Sequence, residues 1–562
     1  MTLIDAQPRP TTAPHVTVLV DRCVGCQECI VRCPTAALNL DAGPMVAVAN
    51  DELCVGCRQC ERTCPFSAIT VSGPVLVAPR ASFTPQHPRT LVGSTAETRS
   101  GFATWSEAIA EADRCLSCPD PTCVRGCPAH NDIPAFIAAI RDKDLGGAHT
   151  VLRRTSVLPD ICSRVCDQAI QCEGACTWSL AGEEPVAIGA LERFVCDTAP
   201  VPSPLPRRGD ADGLRVAVIG SGPAGLAAAW ELVEHGATVT VYDKGTEAGG
   251  LLRWGIPDFT LGADVAERPV AALRRAGVEF RLGTEVRPDG IDDLLGDHDA
   301  VIVAVGAGRP MRLPVPGADL DGVWDATRFL TEGHAALAHP GDGGPVAPGA
   351  HVLVIGAGNT AMDVARTARR FGAGATCVDW MDRRFAPVRP DELTEAEAEG
   401  VVIRFNTTVE AIEGDGGRVR TVRLARTEQR HAGDRPKVVA RGEQVGADLV
   451  VMAMGYTLDP VMKARSGEVP VARSVPAFVD RRWVASGLLA NPAPGFARHQ
   501  PVGRLALGRE TARAASAAPR ADRVWVAGDA LTGPATVVDA MAQGKQAALG
   551  VIAATARAGS LR

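Results

Sequence analysis

Two short apolar runs, each followed by a glycine-rich turn, dominate the hydrophobic pattern of the chain. Residues 215–219 (Arg-Val-Ala-Val-Ile) and 351–355 (His-Val-Leu-Val-Ile) have the length and the β-branched content of buried strands. In the first unit, a helix is predicted at 226–235 and a second strand at 238–242. In the second unit, a helix is predicted to end at Phe371, and a second strand is predicted at 376–378. This alternation of strand and helix predicts two doubly wound α/β units.

Shorter elements are predicted on either side of these units. Short strands are expected at 16–20, 68–71 and 523–526, and helices at 106–113, 133–141 and 536–550. The fold class expected is therefore multidomain α/β, in which a small α+β domain and a helical domain precede the two α/β units.

The length and charge of the chain narrow its class. A chain of 562 residues is expected to form about three to five domains. A net charge of −7 argues against a nucleic-acid partner, which usually requires a basic face. No apolar run reaches the roughly 18 residues of a membrane helix, and residues 1–10 lack the apolar core of a signal peptide. We therefore expect a cytoplasmic protein without a membrane span.

The cysteines indicate iron–sulfur chemistry. Eighteen cysteines would suit a disulfide-rich protein, but no secretion signal accompanies them, and 16 lie between Cys23 and Cys176. The first eight repeat the bacterial ferredoxin spacing, as Cys23-x2-Cys26-x2-Cys29-x3-Cys33 and Cys54-x2-Cys57-x2-Cys60-x3-Cys64, each with a trailing proline. Zinc sites use CxxC pairs set further apart, so this spacing predicts two [4Fe–4S] clusters.

In the ferredoxin motif, the last cysteine of each run binds the cluster of the other run. The expected ligand sets are Cys23, Cys26, Cys29 and Cys64 for one cluster, and Cys54, Cys57, Cys60 and Cys33 for the other. The next eight cysteines are spaced differently, as Cys115-x2-Cys118-x4-Cys123-x3-Cys127 and Cys162-x3-Cys166-x5-Cys172-x3-Cys176. Their spacing indicates one or two further clusters and assigns no ligands.

The turn after residues 215–219 carries a complete dinucleotide-binding fingerprint. Gly220, Gly222 and Gly225 have the G-x-G-x-x-G spacing between strand and helix, and Asp243 follows the second strand. The glycines allow a pyrophosphate to approach the helix N-terminus, and the acid accepts a hydrogen bond from a ribose hydroxyl.

The fingerprint recurs after residues 351–355. Gly356 and Gly358 are followed by Asn359, Thr360 and then an alanine that the fingerprint permits, and Asp379 lies 23 residues after the first glycine, the same offset as in the first unit. Two such sites in one chain predict a flavin, FAD, and a nicotinamide placed for hydride transfer.

Residues near the C-terminus are predicted to complete the flavin site. Gly528-Asp529 follows the strand at 523–526, where an acid commonly holds a flavin ribityl hydroxyl. The helix that begins at Thr536 would direct its N-terminus at the flavin ring and stabilise negative charge on the reduced form.

Together these motifs resemble the small (beta) subunit of glutamate synthase and its relatives, which include the N-terminal half of dihydropyrimidine dehydrogenase and the large subunit of an electron-bifurcating transhydrogenase. The segments that carry the resemblance are Cys115–Pro134, Ile188–Arg193 and Gly249–Pro257. The similarity covers about residues 100–562, and the N-terminal ferredoxin resembles that of fused family members.

The resemblance implies ligands that spacing alone does not assign. One cluster would use Cys115, Cys118, Cys123 and Cys176, and the other would use Cys127, Cys166, Cys172 and Glu192. A carboxylate is a harder ligand than a thiolate and is expected to shift the cluster potential. The remaining Cys162, Cys196 and Cys377 are expected to be structural. Gly250, in the third segment, is expected to contact the FAD.

The nicotinamide site departs from the pattern of relatives that use NADPH. Those relatives carry an Arg-Arg pair after the second strand, where this chain has Trp380 and Met381, preceded by Asp379. An acid there binds a free 2′-hydroxyl and repels a 2′-phosphate, which favours NADH over NADPH. Arg383 and Arg384 follow closely, so that phosphate binding by this pair stays open.

The domain boundaries follow from these motifs. We predict a 2[4Fe–4S] ferredoxin domain at 1–80, a helical iron–sulfur domain at 81–205, an FAD-binding domain at 206–330 and 516–562, an NAD(P)H-binding domain at 331–460, and an insertion of unknown role at 461–515. A Pro-, Ser- and Thr-rich linker over Pro74–Thr104 is expected to separate the ferredoxin from the helical domain.

Electron arithmetic then predicts the reaction. A nicotinamide gives two electrons as hydride, a flavin accepts them and passes single electrons on, and each cluster takes one. We expect an oxidoreductase that passes electrons from NAD(P)H through FAD to four [4Fe–4S] clusters and then to a ferredoxin-like protein or a large catalytic subunit, without a catalytic side chain. The alternatives are the glutamate synthase beta subunit itself and a non-catalytic cluster-bearing scaffold. The Gly249–Pro257 segment and the eight helical-domain cysteines disfavour a fused adrenodoxin-reductase-type enzyme. The oligomeric state stays open.

Overall fold

The computed structural model describes residues 13–81, 88, 90–199, 205, 207–339, 343–457 and 523–559. The chain forms two compact units: residues 1–83 with 101–200, and residues 84–100 with 201–562. The predicted insertion at 461–515 lies outside the described residues.

The ferredoxin part of the first unit is built from two antiparallel strand pairs and two short helices. Strand β1 pairs with β4, and β2 pairs with β3. The elements are β1 (His15–Val18), α1 (Glu28–Val31), β2 (Leu38–Asp41), β3 (Val46–Ala49), α2 (Gln59–Thr63) and β4 (Ile69–Ser72). Because the cysteine loops occupy much of this short sequence, Cys29 and Cys60 share its small core with Val16, Leu38 and Ile69.

The second part of the first unit is helical. Its helices are α3 (Trp105–Ala112), α4 (Thr122–Gly126), α5 (Ile133–Arg141), α6 (Leu145–Thr155), α7 (Pro159–Val165), α8 (Thr177–Leu180) and α9 (Ile188–Thr198). Polar caps fix where they begin: Thr104 and Glu107 form a capping box at α3, and the Asp132 carboxylate accepts the Ala135 N–H at α5. The buried faces of α5 and α9 include Phe136, Ile137 and Leu191.

The ferredoxin and helical parts pack directly against each other. The Arg32 guanidinium donates to Asp120 at 2.9 Å. Arg80 donates to Glu173 at 2.7 Å, and Arg114 donates to the carbonyl of Ala78 at 2.9 Å. These contacts make the two iron–sulfur parts a single packed unit.

The second unit holds two parallel five-stranded sheets. The first has the order β19-β8-β5-β6-β7 and the second has the order β10-β17-β11-β12-β13. The strands of the first are β5 (Arg215–Ile219), β6 (Thr238–Tyr242), β7 (Glu279–Arg281), β8 (Ala300–Val303) and β19 (Val524–Val526). Those of the second are β10 (Val323–Asp325), β11 (His351–Ile355), β12 (Gly374–Val378), β13 (Val402–Arg404) and β17 (Leu449–Met452).

Helices and smaller sheets surround these two layers. The helices are α10 (Pro223–Glu234), α11 (Leu251–Trp254), α12 (Ala263–Arg275), α13 (Ile291–Asp297), α14 (Ala326–Ala338), α15 (Asn359–Arg370), α16 (Pro390–Ala398), α17 (Asp529–Thr532) and α18 (Val537–Gly559). Strand β9 (Arg309–Pro310) pairs with β18 (Tyr456–Thr457) in a small two-stranded sheet. A separate antiparallel sheet, which was not predicted from the sequence, consists of β14 (Thr407–Asp415), β15 (Arg418–Glu428) and β16 (Lys437–Gly446).

The predicted linker is not simply a spacer within the first unit. Residues 84–100 belong to the second unit. The Thr98 N–H donates to the carbonyl of Phe259 at 3.0 Å, and the Gly93 N–H donates to the carbonyl of Arg370 at 2.8 Å. The prediction missed this packing because the contacting residues lie far away in the sequence.

Candidate functional site

A pocket in the ferredoxin part brings together three cysteines of the first run and one of the second. Its lining includes Cys23, Cys26, Cys29 and Cys64. Burial raises the pKa of Cys29 to about 11, and charge on the other three cysteines adds to the increase. This is the crossed set that the ferredoxin spacing predicts.

The complementary set has the same relationship. Burial raises the pKa of Cys60 to about 12, and charges on Cys57, Cys33 and Cys54 contribute. Backbone N–H groups donate hydrogen bonds to sulfurs of both sets. In the set with Cys60, the donors are Ala37, to Cys33 Sγ at 3.2 Å, and Gly56, to Cys54 Sγ at 3.4 Å. In the set with Cys29, they are Ala68, to Cys64 Sγ at 3.3 Å, and Ala47, to Cys23 Sγ at 3.4 Å. Hydrogen bonds of this kind tune the potential of a bound cluster.

A third cysteine set forms in the helical part. Burial raises the pKa of Cys123, and charges on Cys176, Cys115 and Cys118 raise it further. Cys118 Sγ lies 3.3 Å from the Thr177 hydroxyl oxygen. These four cysteines are the ligands that the resemblance implies for one cluster.

The fourth set contains three cysteines and a carboxylate. Glu192 is buried on α9. Its negative charge contributes to the raised pKa of Cys127, Cys166 and Cys172. Among the described residues, its Oε1 has no hydrogen-bond partner. Burial raises the pKa of this carboxyl. A buried carboxylate oxygen without a partner, beside three thiols, matches the donor set that a cluster requires.

Cys162 also lies in this fourth set. A hydrogen bond with Cys162 is the main cause that raises the pKa of Cys166. Spacing did not reveal this contact, which arises because α7 carries Cys162 one turn before Cys166 at its C-terminus. All the described cysteines are free of disulfide bonds. Within the described part of the chain, no group of His, Cys, Asp and Glu side chains is arranged to hold a single metal ion.

The first fingerprint turn combines tight packing with one open position. Gly220 has a φ of +102°, and a Cβ there would lie 2.3 Å from the Ala304 carbonyl oxygen. A Cβ on Gly225 would lie 1.9 Å from the Gly220 oxygen, whereas one on Gly222 would meet no atom within 4 Å. The outer glycines therefore permit the fold, and the central one leaves the space that a pyrophosphate would fill.

Asp243 is fixed beside this turn. Its Oδ2 accepts hydrogen bonds from the N–H and hydroxyl of Ser221, at 2.7 and 2.6 Å. The Ser221 hydroxyl oxygen in turn accepts the Gly249 N–H at 3.1 Å. Gly250 has a φ of +56°, and a Cβ there would lie 2.9 Å from Gly222 Cα. The structure thus brings together the predicted FAD residues from three separate segments of the sequence.

The C-terminal residues reach the same layer. Strand β19 lies beside β8 in the first sheet, and a Cβ on Gly528 would lie 2.8 Å from the Cβ of Ala224 in α10. Burial raises the pKa of the adjacent Asp529 to about 7. The Thr536 hydroxyl oxygen accepts the Asp539 N–H at 3.3 Å and so caps α18, which extends to Gly559, beyond the predicted end at 550.

The second fingerprint repeats the first in the second sheet. Gly356 has a φ of +118°, and a Cβ there would lie 2.4 Å from the Ala453 carbonyl oxygen. At Gly358 the nearest atom to such a Cβ is 3.9 Å away. Asn359 Oδ1 accepts the Arg389 N–H at 2.9 Å, and Thr360 lies half-buried in the first turn of α15. This turn again offers room for a nucleotide pyrophosphate.

The residues that would read the ribose lie after β12. Asp379 accepts hydrogen bonds from the N–H of Ala357 at 2.9 Å and of Met381 at 2.8 Å, and burial raises its pKa. Trp380 is exposed. The Arg383 guanidinium donates to Glu397 at 2.7 Å, and that of Arg384 donates to Asp382 at 2.8 Å. Both arginines are therefore engaged with carboxylates of the same domain.

The second unit contains a buried network of charged side chains that was not predicted from the sequence. Arg366 on α15 is completely buried and forms ion pairs with Glu392, Glu395 and Glu399, at 3.0, 2.8 and 3.0 Å. Arg99 donates to Glu395 at 2.6 Å. The neighbouring Arg370 stacks on Phe259, with 3.6 Å between its guanidinium carbon and the ring centroid, and donates to Glu399 at 2.7 Å. The network ties residues 98–99 to helices α15 and α16 and to the segment that contains Phe259. The Arg/Glu-rich pattern of α15 and α16 was its only signal in the sequence.

Among the described residues, no helix combines the length and apolar character needed to cross a bilayer. Three known families match the chain. Residues 22–68 match the 4Fe-4S dicluster domain, residues 93–202 match dihydropyrimidine dehydrogenase domain II, 4Fe-4S cluster, and residues 214–482 match pyridine nucleotide-disulphide oxidoreductase. The predicted class, multidomain α/β with iron–sulfur and pyridine-nucleotide domains, is confirmed.

Curated relatives match a large part of the chain. The chain is 39% identical to the glutamate synthase [NADPH] small chain of Escherichia coli over 369 residues, covering 62% of this chain and 77% of the relative. It is 34% identical to the small chain of Halomonas elongata, covering 79% and 90%, and 34% identical to that of Azospirillum brasilense, covering 81% and 92%. The chain is therefore an iron–sulfur oxidoreductase that belongs to the glutamate synthase small-chain family.

Proposed function

We propose that this chain passes electrons from NADH, through FAD, to four [4Fe–4S] clusters and on to a redox partner. The observation that carries the proposal is that one chain holds two open dinucleotide turns, at Gly222 and Gly358, together with four convergent sets of cluster ligands. FAD, when bound, exchanges two electrons with a nicotinamide and single electrons with iron–sulfur clusters.

FAD is assigned to the first sheet. Gly222 leaves space for the pyrophosphate, and Asp243, held by Ser221 at the end of β6, would accept a hydrogen bond from the adenosine ribose. Asp529, whose described hydrogen bond comes from the Ala535 N–H at 3.2 Å, supplies an acceptor for a ribityl hydroxyl. Helix α18 follows Asp529 in the sequence, and its capped N-terminus adds the positive end of a helix dipole to the proposed flavin site.

The clusters are assigned to the four sets described above. In three sets the ligands are four cysteines, and in the fourth Cys127, Cys166 and Cys172 are joined by Glu192. The unpartnered Glu192 Oε1 supports its assignment as the fourth ligand. Cys162 then acts on Cys166 by hydrogen bonding rather than as a ligand.

The nicotinamide is assigned to the second sheet, with NADH preferred. Asp379 is held at the end of β12 in the way that Asp243 is held at the end of β6, and the adenosine of FAD carries a free 2′-hydroxyl. Arg383 and Arg384 neutralise Glu397 and Asp382. The relatives are named for NADPH; the residues after β12 support a different preference in this chain.

The acceptor is a protein. The relatives are small chains of a larger enzyme, and a large subunit is one class of acceptor for this chain. The additional dicluster domain at residues 22–68 supports a second class, a one-electron redox protein.

Anaerobic titration tests the proposal. The purified protein is titrated with NADH and separately with NADPH while the visible spectrum is recorded. We expect NADH to bleach the flavin and cluster absorbance rapidly. Bleaching by NADPH alone would retain the oxidoreductase and overturn the selectivity. Failure of both nucleotides to bleach a flavin-containing protein would contradict the electron-transfer proposal and favour a scaffold.

A further inference from the structure

Arg62 connects the two iron–sulfur parts beside their cysteine loops. It lies on α2, between Cys60 and Cys64. Its Nη1 donates to the carbonyl of Leu180 at 3.3 Å, and its Nη2 donates to Gln59 Oε1 at 3.1 Å. Leu180 ends helix α8, which begins directly after Cys176. The guanidinium thus links a helix that contains a ligand of one ferredoxin set to a helix that follows a ligand of a helical-domain set.

The helix that Arg62 contacts also contacts a ligand of the helical domain. Thr177 lies in the first turn of α8, and its hydroxyl oxygen is 3.3 Å from Cys118 Sγ. The positive charge of Arg62 acts on Cys57 and on Cys118 in the direction that favours the thiolate. Arg62 therefore lies between a ferredoxin helix that contains Cys60 and a helix of the helical domain that contacts Cys118.

A second ion pair fixes the same approach. Arg32 precedes Cys33, a ligand of the set that includes Cys57, and donates to Asp120, which lies two residues after Cys118. Within the helical domain, the charge of Cys123 in the third set contributes to the raised pKa of Cys172 in the fourth set. Cys23, Cys26, Cys29 and Cys64 form the remaining set, and Cys26 in it is exposed.

We propose that electrons cross between the ferredoxin and helical domains where Arg62 of α2 contacts α8, between the set that contains Cys60 and the set that contains Cys118, and that Arg62 is the positioning residue of this junction. The proposal rests on the function proposed above, because it requires occupied clusters. Electron transfer between clusters falls steeply with distance, so the residues that fix the approach control the rate. The cation also stabilises the more negative, reduced form of both flanking clusters. The set with Cys26 then becomes the terminal cluster and exchanges electrons with the partner.

The test compares Arg62→Gln, Arg62→Lys and Arg22→Gln in the full-length holoprotein. Gln removes the charge, Lys retains it, and Arg22 is an exposed arginine beside Cys23, away from the junction. Potentiometric titration monitored by electron paramagnetic resonance measures the four reduction steps. Stopped-flow absorbance with the nicotinamide measures how fast the clusters fill.

We expect Arg62→Gln to move two of the four reduction steps to more negative potential and to slow the last phase of cluster reduction several-fold. Arg62→Lys should recover most of both effects, and Arg22→Gln should move no more than the one reduction step of the cluster that Cys23 binds and should not slow the last phase several-fold. Equal behaviour of Arg62→Gln and Arg22→Gln in both measurements would overturn the junction, as would failure of Lys to restore the potentials. Iron content and circular dichroism verify that the variants keep their clusters and fold.

The wild-type protein separates failure of this inference from failure of the proposed function. If neither nicotinamide reduces the wild type, the proposed function fails, and chemical reduction still permits the potentials of the variants to be compared. If a nicotinamide reduces the wild type and Arg62→Gln alike, with unchanged potentials, only the junction is wrong.

Discussion

The carboxylate of Asp379 accepts a hydrogen bond from the N–H of Ala357 at 2.9 Å. The corresponding pair in the first sheet is Asp243 with Ser221, at 2.7 Å. In each pair the acid at the end of the second strand binds the second residue of the glycine turn. The two proposed nucleotide sites therefore hold the same acidic group at the end of the second strand, which is the basis of the first prediction.

The double variant Trp380→Arg, Met381→Arg should gain activity with NADPH. Each guanidinium that reaches a 2′-phosphate contributes about 1.5–3 kcal/mol as a charged hydrogen bond, which corresponds to roughly a ten- to hundredfold rise in kcat/KM for NADPH. Steady-state reduction of an artificial acceptor with each nucleotide measures the change. The matched control is Trp380→Ala, Met381→Ala, which should not gain. A wild type that already prefers NADPH would contradict the prediction.

Alanine at Gly222 should remove FAD without unfolding the protein. Gly222 has a φ of −70° and open space around its Cβ direction, so the chain tolerates alanine there while the methyl group fills the pyrophosphate space. Flavin content per protein from absorbance, together with the far-ultraviolet spectrum, measures both effects.

Gly225→Ala is the contrasting variant, because its Cβ would lie 1.9 Å from the Gly220 oxygen. It should lower both the folded yield and the flavin content. Full flavin content in Gly222→Ala would place the pyrophosphate elsewhere.

Arg366→Met should destabilise the nucleotide-binding unit by about 3–5 kcal/mol, because it leaves buried carboxylates without their cation. Glu392, Glu395 and Glu399 are the groups affected. Urea unfolding followed by flavin fluorescence measures the loss. Glu397→Gln, which breaks the exposed pair with Arg383, is the control and should cost less than about 1 kcal/mol. Equal losses would show that burial does not set the strength of these pairs.

Asp529→Asn should remove a pH dependence of stability from the flavin-free protein. Burial raises the pKa of Asp529 from 3.8 to about 7, so the folded state binds this proton more tightly than the unfolded state. The resulting stabilisation is complete below about pH 4 and is lost as the pH rises through 7, by up to about 4 kcal/mol. Thermal unfolding between pH 4 and 8 measures it. The same variant should bind FAD more weakly, since it replaces a charged acceptor by an amide.

Local patterns predicted the nucleotide turns and the ferredoxin ligand pattern. The strands at 215–219 and 351–355 and the helix at 133–141 lie where the hydrophobic period placed them. These features depend on residues close together in sequence. The predicted site assignments themselves stay predictions until they are tested.

Long-range packing was not predictable from the sequence. The pattern around Arg99 resembled a linker because its partner, Glu395, lies 296 residues away. The contact of Cys162 with Cys166 was missed for a local reason: residues four apart meet only on a helix, and no helix was predicted at α7. The sheet formed by β14–β16 was missed, since strongly polar, exposed strands such as Lys437–Gly446 give no alternating pattern.

The packing of Thr98 and Arg99 has a consequence for folding during synthesis. Their partner Glu395 follows Thr98 by 297 residues. At a translation rate of roughly 5–20 residues per second, the ribosome needs about 15–60 s to supply it. During that interval the iron–sulfur part can acquire its clusters. Residues 98–99, which precede the helical domain, cannot yet form their native contacts, because Glu395 has not been synthesised. Cluster insertion therefore has a time window before the nucleotide-binding half is complete.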